Sequence, residues 1–484
     1  MNNRDWESMN ENEFDSMLEN SISEVPPEEI VAQVTPWKKA MNRVLMGIAL
    51  CSLTLNFGCL SYLLPTVGMI LSLLGFRSLR QENIWFKICL IITMLRAAFF
   101  FPELILNTTI IQEAFFSSTI AEVVAIVNPF LLFIQYFCLW RGLRTVQQKV
   151  NLSPRAKAVV ALMIWFVCMC ILVFVRYNGL VIGIAMILGF FIIIYSIHKL
   201  SKELDEAGYS IHPATVKVTD KAIVLMLILL LALGCFCGYY FGGSYPMNWT
   251  PIEESEKTEA GEIQAQLMEL GFPEYVLQDL SAEDIAACEG AMQIVEDIYK
   301  EKELRITNVG VQLSGERDKW IIFHHFLWTS NPGFYGTESI QIWPVYKNIS
   351  EGWISDGGVS GRVLYDKNGK TFVAPYHSIG EQTYTYSDIL WGDQTNTDIF
   401  ATFSMPEKGI DCRGYVAYPI KEIQDGYIIS SWINYTHQES WLQYPVMTAM
   451  ENRMRNSWNN DGAFMTIQNV FTLYPTDEGV EIIK

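Results

Sequence analysis

From Val44 to Phe76 the chain runs 33 residues without a charged side chain, and further apolar runs recur as far as Gly243. Such runs match the length at which an α-helix crosses the hydrocarbon core of a bilayer, roughly 18–22 residues. Their spacing predicts seven spans, at residues 41–56, 59–76, 85–106, 119–140, 158–176, 179–197 and 221–242. The first two read as a tight hairpin turning at Asn56-Phe57-Gly58, with Pro65 kinking the return helix. One long tilted span is the alternative, and it would invert the topology of everything downstream. Small residues at spacing four, Gly179 and Gly183 and then Gly234, Gly238 and Gly242, leave one helix face without side chains. That spacing predicts close helix packing, within the bundle or between subunits of a homo-oligomer.

Beyond Gly243 the periodicity changes. Residues 244–252 form a Gly/Pro/Ser-containing exit, and residues 253–303 read as helical, with Ile263, Leu267 and Leu270 on one face. Gly271 is placed to stop one helix, and Ser281 to cap the next ahead of Glu283 and Asp284. From Arg305 the period is two, which predicts strands at 306–313, 319–328, 337–346, 359–365, 370–376, 383–390, 397–404, 412–419, 426–435 and 464–473. Turn chemistry at Ser355-Asp356-Gly357-Gly358, Asp366-Lys367-Asn368-Gly369 and Asp425-Gly426 separates several of them. Residues 439–456 predict a helix interrupted early by Pro445. The expected fold is a membrane α-helical bundle followed by an extracytoplasmic α+β region dominated by a jelly-roll-like β-sandwich. Four regions follow: a tail at 1–36, the membrane domain at 37–243, a linker and helical stalk at 244–304, and the sandwich at 305–484.

Charge adds orientation to this outline. The tail carries about −8, the membrane block about +9 and the remainder about −19. With the N-terminus inside, the cytoplasmic flanks hold Lys38, Lys39, Arg43, Arg77, Arg80, Lys87, Arg141, Arg144, Lys149, Arg155, Lys157, Lys199, Lys202, Lys217 and Lys221, against Arg176 alone outside. The positive-inside rule then places the C-terminal domain outside a plasma membrane. The first 35 residues lack a basic n-region and an apolar h-region, so the first membrane helix is expected to act as its own signal anchor. The acidic tail, with Trp6, Phe14, Met17 and Leu18 as anchors, is a candidate dock for a cytoplasmic partner. A net charge of −18 argues against a nucleic-acid partner, whose phosphates need clustered Lys and Arg.

Candidate chemistry is sparse. Arg96 lies near the middle of the third span, where a central Arg costs roughly 2.5–3.5 kcal/mol to insert. Glu103 and Glu122, toward the outer side, are its candidate charge partners. Eight of the ten cysteines fall in apolar spans, and a pair two residues apart on a helix cannot share a metal. Cys288 and Cys412, in the outer domain, could bridge. His324 and His325 are strand neighbours and so face opposite sides. Ser360 has Arg362 where a nucleophile elbow needs glycine, and Asp366-x-Asn368-x-Lys370 reads as a hairpin turn more readily than a calcium loop. No catalytic residue, metal site or cofactor site is expected. The positive signal is aromatic: Trp328, Trp343, Trp353 and Trp391 are the ligand-binding candidates among many Trp and Tyr that could stack on sugar rings or peptide side chains.

Two blocks carry a family resemblance. One runs from Val34-Thr35-Pro36-Trp37-Lys38-Lys39 to Leu73-Leu74-Gly75-Phe76-Arg77; the other is Leu270-Gly271-Phe272-Pro273-Glu274-Tyr275 with Leu280-Ser281-Ala282-Glu283-Asp284-Ile285. Together they resemble uncharacterised multi-pass membrane proteins of Firmicute-type bacteria. The resemblance implies a bacterial envelope protein and transfers no catalytic residue. The expected function is a non-catalytic membrane protein whose outer β domain binds or senses a ligand. A transport or channel subunit with a site near Arg96 is the alternative, and a surface hydrolase stands third.

Overall fold

The computed structural model describes residues 36–52, 60–175, 177, 179–211, 218–252, 261–313, 319–344, 354–355, 358–388, 392–421, 429–455, 460–476 and 479–482. The acidic tail at 1–35, the Asn56-Phe57-Gly58 turn, Arg176, Lys217, Trp353, Asp356-Gly357, Trp391 and Asp425-Gly426 lie outside these residues. The chain divides into two compact units, Met1–Leu104 with Ala114–Leu233, and Ile105–Glu113 with Gly234–Lys484.

The helical region begins with α1 (Pro36–Ser52) and α2 (Leu60–Leu79). Then come α3 (Ile84–Leu106), the short α4 (Gln112–Phe116), α5 (Thr119–Lys149), α6 (Lys157–Phe174), α7 (Leu180–Glu206) and α8 (Asp220–Gly242). Six of these, α2, α3 and α5 to α8, are long and apolar enough to cross a membrane. With 17 residues, α1 is shorter than any of the six. It pairs with α2 as an antiparallel hairpin, because Val44 meets Gly75 while Gly47 meets Gly68 and Ser72. A Cβ on Gly68 would stand 2.8 Å from the Gly47 carbonyl oxygen, so this close backbone approach requires glycine. One continuous span over this stretch is thereby excluded.

One group of polar contacts in the first unit lies among and beside the basic-loop residues. Trp37 is fully buried, donates its indole N–H to the Ser201 carbonyl at 3.2 Å, and packs on Phe86 and Tyr209. The Tyr209 hydroxyl donates to the buried Glu82 carboxylate, and Lys149 Nζ donates to the Glu82 carbonyl at 2.7 Å. Arg43 and Arg77 bracket Asp220 at 2.7 and 3.0 Å. Elsewhere on these helices large apolar residues such as Ile126, Leu180 and Val181 are exposed, the surface that a lipid environment accepts.

The second unit is built mostly of antiparallel sheets. Strands β1 (Thr250–Pro251), β2 (Ala291–Glu301), β3 (Leu304–Leu313) and β4 (Trp320–Trp328) are followed by β5 (Glu338–Pro344) and β6 (Ile354–Ser355). Then come β7 (Ser360–Lys367), β8 (Lys370–Pro375), β9 (Ser378–Asp388), β10 (Gly392–Phe403), β11 (Ile410–Lys421) and β12 (Ile429–Gln438). The last are β13 (Asn460–Asp461), β14 (Phe464–Thr476) and β15 (Gly479–Ile482). One sheet has the order β1-β8-β7-β11-β4-β3-β2 with β6 beside β11; the other is β13-β14-β12-β5-β10-β9 with β15 beside β14.

Period two sorts β4 between two cores. Trp320, Ile322, Phe326 and Trp328 join Ile340, Ile342, Ile433 and Tyr435 of the other sheet in a shared core. The alternate residues Ile321 and Phe323 join a second core beneath a helical layer, α9 (Gly261–Glu269), α10 (Glu274–Leu277) and α11 (Ala282–Ala287). The first sheet is therefore buried on both faces at its centre, along β4. Ser281 caps α11 by accepting from Asp284 N at 3.1 Å, and Gly271 follows α9 at φ +94, where a Cβ would be strained. Asn368 and Gly369 turn β7 into β8 with φ of 52° and 72°.

Two sequence expectations change here. Residues 291–301, expected to be helical, form β2, an outer strand joined to β3 by a tight turn at Lys302, φ 52°. Of the helix expected at 439–456, the described residues are helical only at α12 (Ala449–Arg455), which Glu451 starts by accepting from Thr448 N at 2.7 Å.

Candidate functional site

Arg96 does not meet a carboxylate. Its Nε donates to Asn128 Oδ1 and its NH1 to Gln135 Oε1, both at 3.0 Å. Gln135 Nε2 passes the chain on to the Thr93 hydroxyl at 3.2 Å, and Thr93 donates to the Cys89 carbonyl at 2.7 Å. Among the described residues no ion pair joins Arg96 to Glu103 or Glu122, which corrects the expected charge pair. The reason is geometric: Asn128 and Gln135 lie seven residues apart on α5, hence on a similar face, and bracket the guanidinium directly. That amide spacing was present in the sequence as a signal. Beside them α3 and α5 leave a groove of about 290 Å³, lined by Phe99, Thr119, Ile120, Val123, Val124 and Val127, whose chemistry suits hydrocarbon.

The aromatic candidates separate by face. Trp328 points into the shared core, 2% exposed, where its indole donates to the Tyr435 hydroxyl at 3.0 Å against Phe334 and His437. It therefore leaves the list of ligand-binding residues, because strand alternation turns its side chain between the sheets. Trp343 projects from the outer face of the second sheet, half-buried, opposite Trp432 in register and stacked on it at 5.9 Å and 10°. On the same face Gln341 Nε2 donates to Asp398 Oδ2 at 2.9 Å and to the Tyr384 hydroxyl at 3.0 Å. Gln341 Oε1 accepts from Asn434 at 3.1 Å and from Arg453 of α12 at 3.0 Å. Stacked indoles beside fixed amide, carboxylate and guanidinium groups form, among the described residues, a polar and aromatic face that retains the sequence-expected Trp343. Trp353 and Trp391 lie outside the described residues.

The helical layer is clamped by ionic groups that motif reading passed over. The buried Asp279 carboxylate receives His325 Nε2 at 2.9 Å and Arg413 Nε at 2.9 Å, and Arg413 reaches Asp366 at 3.2 Å. Burial alone would raise the Asp279 pKa; the His325 hydrogen bond and charge, with Arg413, outweigh it and hold the carboxyl below its usual range. Asp284 accepts from Ser360 at 2.5 Å, Ser281 at 2.6 Å and the Tyr415 hydroxyl. Ser360 thus faces a carboxylate and no imidazole. His324, on the opposite side of β4, meets Asn308 at 2.6 Å and Ser431 at 2.8 Å, and burial lowers its pKa to about 3, so it is neutral. Cys288 and Cys412 are buried free thiols and do not bridge. Among the described residues no group of three His, Cys, Asp or Glu is placed to hold a metal.

The turn after α3 is part of the sheet unit. Val446 N donates to the Asn107 carbonyl at 2.8 Å, the Gln112 amide donates to the Val446 carbonyl, and Ile110 N donates to the Gly242 carbonyl at 2.8 Å. Gly234, Gly238 and Gly242 face Ile105, Thr108 and Thr109, so the small-residue stripe packs against this turn of its own chain. A Cβ on Gly234 would fall 2.8 Å from Ile105 Cγ1. By contrast, Gly183 meets nothing within 4 Å.

These features define a class, a chain of membrane-length helices followed by a domain of antiparallel sheets. No protein-family model and no curated protein matches this chain.

Proposed function

We propose that this is a non-catalytic multi-pass protein of a bacterial plasma membrane whose outer sheet domain binds or senses a ligand and relays its state to the membrane helices. In this reading α1 counts as the first of seven spans, the N-terminus is cytoplasmic and the sheet domain is extracytoplasmic. The basic-residue asymmetry of the loops supports that orientation. The observation that carries the relay is the capture of residues 105–113 by the sheet unit, because a shift of the loop at Val446 is felt at once by the turn that ends α3. The ligand face is the outer side of the second sheet at the half-buried Trp343 and Trp432, where a sugar ring or peptide side chain could stack, while the buried Gln341, Asp398 and Arg453 network holds the strands in place.

The test is thermal stabilisation of the full-length protein by a panel of wall-glycan and peptide fragments. One class should raise the transition temperature, and Trp343→Ala should weaken that ligand roughly tenfold, the loss of about 1.4 kcal/mol. Turnover of a panel member, abolished by changing one carboxylate, would replace this reading with a surface hydrolase. A second reading, a transport or channel subunit, is favoured by Arg96 alone, whose amide partners leave its charge uncompensated. Flux lost in Arg96→Gln with ligand binding at Trp343 absent would select it.

A further inference from the structure

The loop at residues 440–448 carries no charged side chain, although the region 244–484 to which it belongs has a net charge of about −19. Trp441 and Leu442 at its tip are 55% and 70% exposed. Trp441 does not project freely; its ring meets Tyr239 edge-on at 5.7 Å, and the Tyr239 hydroxyl donates to the Gln443 carbonyl at 2.5 Å. Tyr239 lies three residues before the end of α8, so the contact falls about 4.5 Å short of that end, alongside the helix. The last turn of α8 also exposes Tyr240 at 72% and Phe241 at 77%, and the neighbouring turn exposes Ile111 at 58%. A soluble domain rarely leaves so many large apolar groups together, and their position beside the end of a 23-residue apolar helix identifies what covers them. Trp and Tyr are favoured where an apolar ring and a polar N–H or O–H meet headgroups.

We propose that Trp441 and Leu442 form a membrane-interface foot, seated among the headgroups and upper acyl carbons of the leaflet from which α8 emerges. The foot adds a lipid contact to the covalent link through α8 and fixes the tilt of the sheet domain against the bilayer. Its neutrality fits this partner, since an acidic loop would be repelled by anionic headgroups. The inference rests on α8 spanning the bilayer and not on ligand binding at Trp343.

The test uses the full-length protein in nanodiscs with lipids brominated at shallow acyl carbons. With 14 tryptophans in the chain, the readout is the emission of the wild type minus that of Trp441→Phe. That difference should fall roughly twofold or more in brominated discs and resist aqueous iodide, as for an indole at headgroup depth. The double variant Trp441→Phe with Leu442→Trp should restore a component quenched by the same lipid. Quenching by iodide without quenching by bromolipid would overturn the proposal, because the loop would then face water. Protection from both quenchers would overturn it equally, because protein would then cover the loop.

Discussion

At Arg96 the guanidinium meets two amide oxygens, and an amide accepts a hydrogen bond without cancelling the charge. The partner therefore matters more than the cation for the integrity of the helix pair. Gln135→Leu removes one acceptor and strands the charge, a loss of about 1.5–3 kcal/mol for a hydrogen bond to a charged group. Arg96→Leu removes the charge together with its burial cost. Membrane abundance should therefore be lower for Gln135→Leu than for Arg96→Leu, and the reverse order would show that other groups hold the guanidinium. Glu451 is the residue from which a pH dependence follows. Burial first, and then a hydrogen bond with the Glu113 carboxyl, push its pKa up from 4.5 to about 8. The folded protein therefore holds a proton that the unfolded chain has released, so this contribution to stability is complete below about pH 4.5 and is lost as pH rises toward 8. Tyr245 and Arg455 also face this pair, Arg455 opposing the shift. The transition temperature of the wild type should fall between pH 5 and pH 8, and Glu451→Gln should flatten that slope; an unchanged slope would remove Glu451 as its source. The seven-residue spacing of Asn128 and Gln135 was legible in the sequence, but not their pairing with Arg96, 32 and 39 residues away, nor that of Glu113 with Glu451, which are farther apart still.

Among the elements, the strands of the shared core were readable because each alternates between two environments. In β4 both faces are buried, and the run Trp-Ile-Ile-Phe-His-His-Phe-Leu-Trp announces it. The outer strand β2 was not readable. Ile294, Val295 and Ile298 fall at helical spacing, and its charged residues Glu296, Asp297, Lys300 and Glu301 belong on either kind of element. What makes it a strand is pairing with β3, a tertiary fact that overrides local pattern. The glycines of the membrane helices carry a prediction at this scale. Gly238→Leu would drive a side chain into Thr108, whereas Gly183→Leu enters open space. The first should destabilise by about 1–3 kcal/mol through overpacking, and the second should be near neutral. Thermal unfolding in detergent separates them, and equal effects would mean that the two stripes do the same work.

For the whole molecule, the basic residues of the loops imply an orientation that labelling can check. An impermeant thiol reagent on intact cells should modify cysteines introduced after Gly243 and spare those introduced at Arg144 or Lys202. Modification at either of these loops, with none in the sheet domain, would invert the topology. Hydropathy alone puts a change of character at residue 243, whereas the compact units divide at Leu233 and Gly234, inside α8, and residues 105–113 belong to the sheet unit, which hydropathy does not show. Hydropathy places a turn between two spans; it cannot say that the partner of Gln112 lies 334 residues away.

That separation has a consequence in time. A ribosome completes α3 and α5 long before it reaches Val446, so the Asn107 carbonyl and the Gln112 amide wait for their partner until most of the remaining chain has been delivered, although α8 claims Ile110 earlier. Contacts of such sequence separation form late and slow folding. An arrested or clipped chain ending before Val446 would carry a complete set of membrane-length helices with α8 packed on the 105–113 turn, but with the Asn107 carbonyl and the Gln112 amide lacking their partner, a defined difference between an unfinished molecule and a finished one.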